Sequence, residues 1–221
     1  METLSTWSKV IIAFIVLILM YTKHIGTHLR MINTFFHETS HAFIALIFGN
    51  KVKEINFNID QSGSCWSISK NKFASFMTSI AGYTGCSLVS LALVYAIEHR
   101  GVEISFLVIA IVALITLLLY MRKTYPLVWT MGFIAVNIIC YMTPMTLEIK
   151  TYILYSIMIL LLLNNTISCF HLLYIAFVNP KQSGDCALLK KITHIPSFLW
   201  ALSFNLINLF IVYKISLKIL F

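Results

Sequence analysis

Charge is scarce in this chain. Only 11% of its 221 residues are Asp, Glu, Lys or Arg, and eight of them are acidic. Soluble domains carry about 25% charged residues, so an ordinary water-soluble fold is excluded. Disulfide spacing is also lacking. The five cysteines are an odd number without a framework pattern, and Cys86, Cys140 and Cys169 lie inside apolar runs, where a thiol serves as a small hydrophobe. No small-x-small cleavage site follows Lys9 and the apolar stretch Val10–Tyr21, so that stretch is expected to stay as an uncleaved first span rather than a signal peptide. What is abundant is apolar side chain: 59% of the chain, with a mean hydropathy of +0.88. That composition belongs to polytopic membrane proteins and leaves no room for a sizeable soluble domain.

A formal charge of +8 would suggest nucleic acid in a soluble protein. Here the lysines and arginines sit in short connections between apolar runs, the pattern of topology-setting charges, and no nucleic-acid partner is expected. Seven runs can be marked at about 10–22, 31–49, 73–97, 102–121, 125–144, 151–178 and 195–219, each compared with the roughly 20 residues a span needs. Counting basic residues on alternate sides gives ten against six. The larger group includes Lys51, Lys70, Arg122 and Lys181, and the smaller one Lys23, Arg30 and Lys150. The excess places the amino terminus and the connection after the second run on the cytoplasmic side. The fold class expected is an all-α polytopic membrane protein of about seven helices, with residues 1–221 forming one membrane-embedded domain.

One stretch breaks the helical pattern. Glu54–Asp60 alternates polar and apolar residues, Gln61–Ser64 has turn composition, and Cys65–Ser69 alternates again. This predicts a β-hairpin over 53–70, on the cytoplasmic side directly after the second run. Its unpaired edge could template an unfolded substrate strand, or the hairpin could be a short connecting loop. In the third run Ser75, Ser79, Gly82, Cys86 and Ser90 recur at helical spacing, a small-residue face suited to close helix packing. In the sixth, Asn164, Ser168 and His171 form a polar stripe, either bonding to neighbouring helices or lining a wet cavity.

The chemistry concentrates in His37-Glu38-Thr39-Ser40-His41, in the middle of the second run. On a helix this spacing sets two imidazoles one turn apart on one face, suited to Zn²⁺, with Glu38 placed to act on water at the metal. A carboxylate at bilayer depth costs roughly 2.5 to 3.5 kcal/mol on insertion scales, so it needs a partner or a task. Catalytic zinc takes three protein ligands, and five residues are candidates for the third. Asp185 lies in the connection before the last run, on the same side as the C-terminal end of the motif helix. His171 sits deep in the sixth run. Cys186, Glu98 and Glu54 complete the set, with Glu98 on the opposite side and Glu54 on the hairpin. Geometry ranks Asp185 first and His171 close behind.

His37–His41 in a membrane helix, the hairpin, Ala81-Gly82-Tyr83-Thr84-Gly85 in the next helix, and Ser183-Gly184-Asp185-Cys186-Ala187 followed by Pro196-Ser197-Phe198-Leu199-Trp200 together resemble the site-2 protease class of intramembrane metalloproteases, in its compact bacterial branch without a PDZ domain. The resemblance departs in two places: the more familiar Leu-Asp-Gly form of the third-ligand motif is absent, and Gly184 splits the Ser-Asp pair of the branch's Ser-Asp-Ala element. It implies a multi-pass protein of a bacterial cell membrane that binds Zn²⁺ through His37, His41 and Asp185. It further implies Glu38 as general base and then acid, and a membrane-embedded protein as substrate. The alternative is a non-enzymatic membrane protein, either a metal-binding transporter or an inactive protease-like scaffold. Retention of Glu38, which metal binding alone does not require, favours the enzyme.

Overall fold

The computed structural model describes residues 5–220, and the expected domain's first four residues and last one lie outside it. Eight α-helices and one hairpin make up the described chain. α1 (Thr6–Met20) is followed by α2 (Ile25–Ile47), and then by the antiparallel strands β1 (Lys51–Phe57) and β2 (Gly63–Ile68). α3 (Lys72–Glu98), α4 (Val102–Tyr120), α5 (Thr124–Met142) and α6 (Leu147–Val178) come next, then α7 (Asp185–Thr193) and α8 (Ser197–Leu220). The seven runs read from the sequence correspond to α1–α6 and α8.

Those seven runs do not make seven independent spans. Five helices, α3 to α6 and α8, are long and apolar enough to cross a bilayer, while α1 and α2 pass that test only together and meet at 105°. The reason is length and composition. α1 has 15 residues, about 22 Å of helix against a hydrocarbon core of about 30 Å, and α2 is diluted by the polar residues of the motif. Gly26 permits the sharp join, since a Cβ there would run into the Met20 carbonyl. Four of the helices long and apolar enough to span, α3 to α6, separate α2 from α7 along the chain.

α6 is the central post. Leu154, Met158 and Leu161 are fully buried in it, and at 32 residues it spans about 48 Å. Side chains such as Leu118 on α4, Val128 on α5 and Phe210 on α8 stay exposed, a distribution that suits a lipid solvent. Lys150, at the start of α6, is buried in an ion pair with Glu103 of α4 at 2.6 Å.

The hairpin forms one to three residues earlier than its composition suggests, pairing Lys51 with Ile68 and Phe57 with Gly63. Rather than projecting from the end of α2, it folds back along that helix. Ile55 and Phe57 are fully buried, and the Phe57 ring stands edge-on to Trp129 of α5 at 5.6 Å. Burying those two side chains pulls the hairpin into the bundle, and its tip reaches the level of Arg30 and Thr34.

Candidate metal centre

The i, i+4 spacing on α2 brings His37 Nε2 within 3.0 Å of His41 Nε2. Asp185 Oδ2 lies 3.2 Å from each of them. The three atoms form a nearly equilateral triangle and are the one group of metal-ligating side chains found among the described residues. A tetrahedral zinc with bonds of about 2.0–2.1 Å needs ligand atoms about 3.3 Å apart, so the donors present fit that ion in both chemistry and spacing. A metal could be held with the imidazoles and the carboxylate almost where they stand.

Each donor is oriented by something behind it. His41 Nδ1 donates to the Thr78 carbonyl of α3 at 2.6 Å, which leaves Nε2 with its lone pair aimed at the centre. The His37 ring packs edge-to-face on Tyr83 at 4.6 Å. α3 can come this close only because Gly82 has no side chain, since a Cβ there would overlap both imidazoles. The small-residue face expected to serve packing therefore also forms the wall of the site.

Gly82→Ala is accordingly expected to retain helix content, Ala being the better helix former, while zinc affinity falls by about 10- to 100-fold, as for other lost ligand supports. Metal analysis and circular dichroism of the same sample check both halves of that expectation.

Asp185 arrives from a different element altogether. After α6 a single 3₁₀ turn, Pro180–Gln182, leads to Gly184, whose φ of +50° is unfavourable for side chains other than glycine. The inserted glycine that interrupts the Ser-Asp pair thus makes the turn that starts α7, with Asp185 in its first turn. Trp200 Nε1 donates to Thr193 Oγ1 at 3.2 Å, tying the far end of α7 to α8.

Glu38 is buried beside these ligands. It lines a cavity of about 810 Å³ together with His37, His41 and Asp185. The hairpin supplies one wall of the cavity through Gly63–Ser67, and exposed Lys181 and Lys191 stand at its rim. Asn164 and Ser168 of the α6 stripe line it as well, whereas His171 faces outward from α6 and does not. Glu98 is paired with Lys218 at 2.6 Å, and Cys186 is buried in the α6–α8 core. Glu54 is also absent from the cavity wall. Thr78, Gly82, Tyr83 and Gly63 also contribute to the site. Thr78 does so through a backbone carbonyl, which has no sequence signature, whereas Gly82 and Tyr83 lie in the Ala81–Gly85 block.

The family model described as Peptidase M50B-like matches residues 10–215, nearly the whole chain. No curated protein and no solved structure matches it.

Proposed function

We propose that the chain, which belongs to the Peptidase M50B-like family and is an integral multi-pass membrane protein of the site-2 protease type, is a zinc-dependent endopeptidase cutting a membrane-embedded protein. The observation that carries the reading is the convergence of His37, His41 and Asp185, from helices far apart in sequence, beside a buried glutamate. Residues 1–221 act as one membrane-embedded unit, with a bacterial cell membrane as the setting.

His37, His41 and Asp185 hold the metal. Zinc bound there supplies Lewis acidity, lowering the pKa of water and polarising a peptide carbonyl. Glu38 takes a proton from the attacking water on its carboxylate and hands it to the departing amide nitrogen, so it serves as base and then as acid. No proton is gained or lost over the cycle. Thr78 and Tyr83 hold the two imidazoles in place throughout.

A helical peptide bond is shielded by its own hydrogen bonds, so the substrate segment must unwind before Glu38 can reach it. An unwound backbone in an apolar setting needs new hydrogen-bond partners. The edge of β2, whose residues Ser64–Ser67 line the cavity, offers them by strand addition. That supports the template reading of the hairpin over the connecting-loop reading.

The test uses protein reconstituted in liposomes and fluorescein-labelled β-casein, an unfolded chain that needs no unwinding. Hydrolysis is expected, with loss on adding 1,10-phenanthroline and recovery on adding back Zn²⁺. Hydrolysis indifferent to the chelator would sink the zinc assignment, and no hydrolysis by zinc-loaded protein would sink the peptidase.

A further inference from the structure

The face of α2 that carries Glu38 is distinct from the one that carries the ligands. His37 and His41 form one stripe, and Arg30, Thr34 and Glu38, spaced i, i+4 and i+8, form the next. This second stripe faces the hairpin tip along its whole length. Arg30 Nε donates to Gln61 Oε1 at 2.9 Å, and Thr34 Oγ1 donates to the Gln61 carbonyl at 3.3 Å. One turn further along, the backbone of Gly63 lies so close to Glu38 that an added Cβ would overlap the carboxylate and come within 2.8 Å of Thr34 Cγ2.

The tip is built to make these contacts. Gln61 has a φ of +69°. The turn is closed by hydrogen bonds from Asn58 N to the Ser62 carbonyl and from Gln61 N to the Asn58 carbonyl, each 2.9 Å. Asp60 Oδ1 accepts from both the Ser62 amide and its hydroxyl. Arg30 is itself held on two other sides: its Nη1 donates to the Met20 carbonyl at the end of α1, and its own carbonyl accepts from Asn164 Nδ2 of α6 at 3.2 Å. Its guanidinium therefore joins the α1–α2 bend to the hairpin tip, a fixed point reached from two directions.

We propose that Arg30 is a positioning residue for the hydrolytic reaction. By docking the hairpin tip through Gln61, it seats the Gly63 backbone against Glu38 and fixes the carboxylate and the β2 edge relative to each other. Proton transfer requires heavy atoms about 2.6–3.2 Å apart. A substrate strand added to β2 therefore brings its scissile bond to Glu38 only while the tip is docked. Gly63 is required because any side chain would displace the carboxylate rather than the helix behind it. This inference rests on the peptidase reading for its catalytic consequence, but the docking itself does not.

Cys65, two residues beyond Gly63, is half-buried on the cavity wall, while the other four cysteines are buried, so it reports on the tip. In detergent-purified protein, Arg30→Ala and Gln61→Ala are each expected to speed alkylation of Cys65 by N-ethylmaleimide by roughly tenfold, the scale of one lost charge-assisted hydrogen bond. The double variant should be no faster than either single one, because the two residues act through one contact. Zinc content should stay unchanged in all three. Gln61→Ala leaves the Met20 contact intact and decides the matter even if Arg30→Ala loosens the α1–α2 bend. Gly63→Ala should lower kcat for casein with little change in KM while zinc is retained.

Unchanged alkylation in Gln61→Ala, or additive effects of the two changes, would overturn the docking role, and an unaltered kcat in Gly63→Ala would overturn its link to Glu38. If the zinc-loaded wild type fails to cut casein, the peptidase reading falls, while the alkylation cycle still decides whether Arg30 docks the tip.

Discussion

Protein purified in mild detergent is expected to hold about one zinc per chain and to lose it when His37 or His41 becomes alanine. Zinc in four-ligand peptide sites is bound by about 10–16 kcal/mol. Shared over the ligands this is roughly 3 kcal/mol each, so one lost imidazole should weaken binding by more than about a hundredfold. The geometry sharpens the expectation. His37 Nε2, His41 Nε2 and Asp185 Oδ2 stand 3.0 to 3.2 Å apart, and no fourth metal-ligating group joins them among the described residues. His171, facing away on α6, is in no position to substitute. Asp185→Asn should also weaken binding, since a neutral amide is a poor zinc ligand beside two imidazoles. His171→Ala should not. Metal analysis of the four variants against the wild type decides it: stoichiometric zinc in His37→Ala and His41→Ala alike would remove the basis for the centre.

Glu38→Gln separates chemistry from binding. The amide keeps the size of the side chain and its contact with Gly63 but cannot accept the water proton. Zinc content should remain at the wild-type level while casein hydrolysis falls by about 10²- to 10⁴-fold, the usual share of general acid–base catalysis. Full activity in Glu38→Gln, with zinc bound, would show that peptide hydrolysis is not the function and would bring forward the transporter or scaffold. Zinc lost together with activity would mean that Glu38 supports the ligands rather than the proton transfer.

Much of this was legible along the chain. The spacing of His37 and His41 sets them on one helical face whatever surrounds them, because 3.6 residues per turn is a property of the backbone. Alternation in Glu54–Asp60 and Cys65–Ser69 marks a hairpin for the same reason, its period of two being local. Apolar run lengths identified each long helix, although they could not show that α1 and α2 are bent against each other and satisfy the length requirement only together. Charge along the chain did not show its partners: Arg30 and Lys150 counted as topology signals in the connections, and each is also bonded to a residue remote in sequence, Gln61 for one and Glu103 for the other.

The sequence by itself determined that this is a membrane protein carrying a two-histidine, one-glutamate motif on a helix, and it named the candidates for a third ligand. Only the tertiary structure brought Asp185 rather than His171 to the imidazoles. That choice depends on the turn at Gly184, which sets the direction of α7, and on the rotation of α6 about its axis. Neither follows from local periodicity. The hairpin tells the same story: its strands follow from alternation, but its place against Glu38 depends on burying Ile55 and Phe57 beside α5 and on an arginine thirty-one residues from its partner. Contacts of that kind are decided by how the whole bundle packs, because the apolar and polar surfaces they satisfy belong to different helices.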